Sequence, residues 1–115
     1  MTAGVHRIRL RRPWACRSGT QGTVWQRRFG CPTGVGPGDR VHLSFTGFSA
    51  AIAVRLNGRQ LGVLPLDALP GSFDVTGELA ARNEIEFELL ASAAGTPQSD
   101  EPPGEVALEI RAEAT

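Results

Sequence analysis

The sequence predicts an all-β chain folded as an antiparallel β-sandwich, and three observations carry that prediction. Six segments alternate apolar and polar residues with period two, Asn57-Gly58 and Gly/Pro-rich runs separate them, and nothing longer than one turn has helical spacing. The length, 115 residues with 41% hydrophobic residues, fits a single domain, 1–115, whose core needs no disulfide or metal to hold it.

In the first segment, Val5 to Arg12, Ile8 and Leu10 share one face and Arg7, Arg9 and Arg11 the other. From Thr23 to Phe29, Thr23, Trp25, Arg27 and Phe29 share a face. Arg40 to Thr46 turns Val41, Leu43 and Phe45 inward, and Ala50 to Leu56 offers Ile52, Val54 and Leu56. Asn57-Gly58 tolerates positive φ at both central positions of a tight turn, so it joins that strand to Arg59–Leu64 as a hairpin. Glu84 to Leu90 separates Ile85, Phe87 and Leu89 from Glu84, Glu86 and Glu88, and Glu105 to Glu113 repeats the pattern with Val106, Leu108 and Ile110. Gly30 to Gly38 and Ser92 to Gly104 read as loops, the second as the most mobile part of the chain. Thr76 to Ala81 is expected to form one helical turn capped by Thr76.

Charge is balanced, twelve arginines against twelve acids with no lysine, but it is segregated. Residues 1–40 hold eight arginines and one acid, whereas 78–115 hold nine acids and two arginines. Pairing the first strand with the last would set arginine rows against glutamate rows, for instance Arg9 against Glu109. With zero net charge there is little field to steer a polyanion, so nucleic acid is not expected as a partner. No run approaches the roughly 18 apolar residues of a membrane span. Arginines occupy the start where a signal peptide would be apolar, so a cytoplasmic location is expected.

Most catalytic patterns fail on their own chemistry. A phosphate-binding Walker loop needs a lysine, and Gly34-Val35-Gly36-Pro37-Gly38 leads into a strand, not a helix. Gly47-Phe48-Ser49-Ala50-Ala51 lacks the last glycine of a nucleophile elbow and the helix that should follow. Along a strand Glu84, Glu86 and Glu88 stand roughly 7 Å from one to the next, within the range of an inverting glycosidase pair. A solvated row, however, supplies nothing to separate their pKa values. Cys16 and Cys31 would close a loop of about 15 residues, worth roughly 3 kcal/mol, if bridged. Free thiols are the expectation in a cytoplasmic protein. With His6 and His42 they show no spacing that pre-orients a metal, and no cofactor is expected.

Aromatic rings are the usual platform for a sugar, with planar polar side chains bonding its hydroxyls. Phe45 and Phe87 alternate with core positions. Trp25 suits either the core or the arginine-bearing face. Trp14, after Pro13, and Phe48, in a turn between strands, are expected to be exposed.

The succession Ile8-Arg9-Leu10, Pro13-Trp14, Val24-Trp25-Gln26-Arg27-Arg28-Phe29, Arg40-Val41-His42-Leu43-Ser44-Phe45, Val54-Arg55-Leu56-Asn57-Gly58-Arg59-Gln60-Leu61-Gly62, Phe73-Asp74-Val75-Thr76 and Asn83-Glu84-Ile85 resembles the sugar-binding jelly-roll domain of β-galactosidase and β-glucuronidase glycoside hydrolases. It departs at Gln26, where that family often has tyrosine. The resemblance implies a galactose-binding-domain-like sandwich without the catalytic barrel, hence a non-catalytic module. The expected function is carbohydrate binding, with Trp14 or Trp25 stacking a ring, Arg27 and Arg55 as donors and Asp74 as acceptor. The alternative is an interaction module that binds another protein or a second copy of itself through a sheet face or edge, with no small ligand.

Overall fold

A computed structural model describes residues 5–90 and 102–112. Among them nine strands form two antiparallel sheets. Sheet A has the order β1 (Val5–Arg9), β9 (Glu105–Arg111), β4 (Arg40–Thr46), β7 (Gly71–Asp74). Sheet B has the order β2 (Ala15–Ser18), β3 (Thr23–Gly30), β8 (Arg82–Leu89), β5 (Ile52–Leu56), β6 (Arg59–Leu64). The sandwich predicted from period-two patterning is the observed architecture.

Inward residues of both sheets meet on Phe87, which is fully buried on β8. The rings of Trp14, Trp25, Phe45 and Phe48 surround it at centroid distances of 5.4–5.7 Å, Trp25 stacked and the others edge-on or tilted toward the cluster. Around them Leu43, Ile52, Val54, Ile85 and Leu108 complete the alternating inner faces. A polar ring of contacts at one end replaces apolar packing: Asn57 Nδ2 donates to Asn83 Oδ1 at 3.0 Å, and Asn83 exchanges hydrogen bonds with the Ala80 backbone at 2.8 and 2.9 Å. Asn57 and Gly58, with φ of 54° and 80°, make the turn between β5 and β6 that their side chains permit.

Two expectations need correction, and two strands went unread. The first strand stops at Arg9 instead of Arg12: after a last bond from the Leu10 N–H to Val106 O (2.9 Å), the chain crosses from the edge of sheet A to that of sheet B. That crossing creates β2, and a short β7 pairs with β4; both strands are too brief to alternate visibly. Residues 76–78 form a hydrogen-bonded turn with no helix, and Thr76 Oγ1 accepts from the Val41 N–H (2.7 Å) instead of capping. Among the described residues the only helical element is a 3-10 turn, Leu66–Ala68. Of the loop expected at 92–104, residues 92–101 lie outside the described residues, as does Glu113 at the end of the last predicted strand.

The charge pairing of first and last strands holds, with a shifted register. Arg7, not Arg9, stands opposite Glu109 and bonds it at 2.9 Å, while both Arg7 and Arg9 reach Glu105.

Candidate functional site

The structure separates the five residues singled out from the sequence. Trp14 is 4% exposed: where the chain crosses between sheets its indole closes the lateral side of the core, and Nε1–H donates to Leu10 O at 3.0 Å. Phe48 is likewise buried, against Phe45 and Phe87. The exposure expected for both was an error of context, since neither β2 nor the inter-sheet crossing was visible. Trp25, 6% exposed, stacks on Phe87 from the inner face of β3, and its Nε1 has no partner among the described residues. Arg27 occupies the inward phase at the end of β3, where its guanidinium donates to the backbone oxygens of Arg11 and Arg28. Burial lowers its pKa, and the side chain acts as a tie holding the segment that carries Trp14.

Asp74 ends β7 on the outer face of sheet A. The Thr76 hydroxyl and backbone N–H, with the Arg40 guanidinium, hold its carboxyl well below the usual carboxylate range. The N–H bond to Oδ1 is 2.9 Å and Arg40 Nε lies 3.1 Å from Oδ2. His42 Nε2 stands 4.0 Å from the same oxygen. Glu109 on the same face is also lowered, first by Arg111 and further by Arg7. These charges are paired with one another on the outer face of the sheet.

Arg55 alone of the five lines a depression on the outer face of sheet B. This groove, of about 280 Å³, is lined by Ala53 and Val63 with Gln21, Arg55, Gln60, Glu86 and Glu88. Its shape has a local cause. The turn between β2 and β3 folds back over the sheet: the Gly19 N–H meets Gly22 O (2.6 Å), and the Gln21 N–H donates to Glu88 Oε2 (2.7 Å). A Cβ on Gly19 would lie about 2.5 Å from Glu88 Oε2 and 2.6 Å from Val24, so the close approach requires glycine. This turn is one wall; Gln60 and Val63 on β6 are the other.

At the Asn57 end of the same sheet a wider cleft of about 670 Å³ is lined by Arg28, Phe29, Gly30, Asn57, Arg82 and Glu84, with Ala81 and Asn83. A third, of about 390 Å³, lies beside Trp14 between Arg9–Arg12 and Pro102–Val106, next to residues outside the described ones. Gln21, Gln60 and Arg82 escaped the sequence reading. The signal that could have found the groove was the pair Gly19 and Gly22 closing a tight turn directly before a strand. Cys16 and Cys31 form no disulfide. No group of three or more His, Cys, Asp or Glu suited to a metal occurs among the described residues, and no helix there is long and apolar enough to cross a membrane.

No family model matches the sequence, and no curated protein matches it. Among solved structures, a β-glucuronidase of Bifidobacterium dentium complexed with coumarin-3-O-glucuronide superposes with a TM-score of 0.72 at 18% identity, over 93% of this chain and 30% of the enzyme. The sequence resemblance to glycoside hydrolases is one of fold. A rhamnosidase from Novosphingobium sp. PP1Y is similar over 75% of this chain and 11% of its own, with a TM-score of 0.54 at 14% identity. The chain thus spans under a third of the length of either enzyme. It is a small β-sandwich of the kind such hydrolases contain as one part.

Proposed function

We propose that this chain is a non-catalytic carbohydrate-binding module that takes its ligand in the groove on the outer face of sheet B. The observation that carries this reading is the convergence there of planar polar side chains, Arg55, Gln60 and Gln21 with Glu86, around the apolar patch of Ala53 and Val63. Guanidinium, amide and carboxylate groups match the paired donors and acceptors of adjacent sugar hydroxyls. Arg55 spends one N–H on Gly58 O (3.1 Å) and has others to offer. The fold supports the reading as context, being shared with parts of two glycoside hydrolases. The aromatic platform first assigned to Trp14 has no part in it, because that ring is core.

Backbone amide NMR titration against neutral and acidic mono- and oligosaccharides, at concentrations reaching about 10 mM to catch affinities near 4 kcal/mol, tests this. Saturable shifts at Ala53, Arg55, Gln60 and Val63, weakened in Arg55→Ala, are expected. Silence across the set would overturn it in favour of a protein-contact module. One observation favours that second reading: β6 is an edge strand, and Val63 and Leu66 beside it are 47% and 55% exposed.

A further inference from the structure

The groove and the cleft share one surface, joined by the outward residues of β8. Arg82 and Glu84 line the cleft; Glu86 and Glu88 line the groove. Six residues of strand at about 3.3 Å each put Arg82 and Glu88 roughly 20 Å apart, a length that several linked sugar rings fill and one ring does not.

The two ends differ in charge. At the groove end Glu86 is held by Arg17 (2.7 Å) and Glu88 by the Gln21 N–H. At the cleft end the Arg82 guanidinium has no hydrogen bond or ion pair among the described residues. Arg28 touches Glu84 only at 3.6 Å and its side chain is 88% exposed, while Glu84 also accepts from Gln26 Nε2 at 2.6 Å. Arg28 stands opposite Glu84 and Arg82 opposite Gly30, so the residue across from Arg82 has no side chain to cover it. Two guanidinium groups there face one carboxylate that is already shared. Guanidinium groups with open N–H forks bind carboxylates in paired, charge-assisted hydrogen bonds.

Resting on the carbohydrate reading above, we infer that the ligand is an extended oligosaccharide lying along β8 from groove to cleft, with an acidic sugar at the end held by Arg82 and Arg28. Calorimetric titration with three probes tests it: an acidic monosaccharide, a neutral tetrasaccharide, and the same tetrasaccharide bearing one terminal uronic acid. The acidic tetrasaccharide is expected to bind about tenfold or more tighter than either other probe, and to shift amides near Arg82 and near Ala53 together. In Arg82→Ala its advantage over the neutral tetrasaccharide should disappear, while the advantage over the monosaccharide should persist. Equal binding of the acidic tetrasaccharide and monosaccharide, or an acid preference untouched by Arg82→Ala and Arg28→Ala, would overturn the inference and leave the carbohydrate reading standing. Absence of binding by all three probes would overturn both.

Discussion

The outer faces of the two sheets carry the same inventory, four arginines and three acids each, and differ in what register makes of it. Sheet A presents Arg7, Arg9, Arg40 and Arg111 with Asp74, Glu105 and Glu109, and every one of its arginines holds a carboxylate. Sheet B presents Arg17, Arg28, Arg55 and Arg82 with Glu84, Glu86 and Glu88. There Arg17 holds Glu86, Arg28 is loosely set against Glu84, Arg55 turns to a backbone oxygen, and Arg82 is unpaired among the described residues. In sheet A the acids of β9 lie beside the arginines of β1, across a strand pair with one regular register. In sheet B all three acids sit on β8, between Val24, Gln26 and Arg28 on one side and Ala53 and Arg55 on the other. Composition alone therefore does not distinguish a closed, self-neutralised face from one with groups left to meet a ligand. Strand neighbours do.

The largest effect should come from removing the ring on which both faces stand. Phe87→Ala is expected to cost about 3–5 kcal/mol and to unsettle both sheets together, as read by urea denaturation. Trp14→Ala belongs in the same range because it opens the lateral side of the core. An unchanged unfolding midpoint for Trp14→Ala would contradict the burial of that indole.

Sheet A can then be tested as a network. Arg7 and Glu109 should show a coupling of about 0.2–1 kcal/mol in a double-mutant cycle to alanine, the range of exposed pairs. Arg9 and Glu109 should be additive, since Arg9 pairs with Glu105. A coupling seen for Arg9 with Glu109 and absent for Arg7 would restore the register first read from the sequence.

Acid should report on sheet A as well. Asp74 and Glu109 have folded pKa values below the ordinary carboxylate value, so the folded state binds fewer protons than the unfolded one. Their contribution is complete above the unfolded value near 4 and is lost as pH falls through it toward the depressed folded values. Melting temperature should therefore decline between about pH 5 and pH 2. Asp74→Asn should lower stability at pH 7 and flatten that decline; an unaltered acid limb would contradict the role given to Thr76 and Arg40.

The smallest effect is expected on sheet B. Arg82→Ala should change stability by less than about 0.5 kcal/mol, as for a surface group without a partner. A larger loss would mean that the cleft arginine is structural and that the contrast between the faces is overstated.

Much of this fold was legible because a strand buried on one face writes its burial into its own alternation. β4, β5, β8 and β9 were each readable within two residues of their ends, and Asn57-Gly58 declared its hairpin through the φ values only such residues adopt readily. What escaped was everything set by non-local neighbours. β2 and β7, of four residues each, are strands only because β3 and β4 offer them hydrogen bonds. Trp14 reads as the exposed end of a strand until the crossing between sheets places it over Phe87.

The candidate site divides in the same way. Arg55 could be chosen from the sequence as a planar donor on a strand face. Its companions Gln21 and Gln60 come from a folded-back turn and an edge strand, and only the pairing of β3, β8, β5 and β6 brings them round Ala53. By itself the sequence determined that there would be a two-layer β-sandwich with Phe45 and Phe87 in its core and arginine-rich and glutamate-rich ends. Tertiary structure alone decided which arginines are neutralised and which stay open. Alternation and turn chemistry act over a few residues of chain, whereas an ion pair or a groove depends on which distant strand lies alongside and in what register.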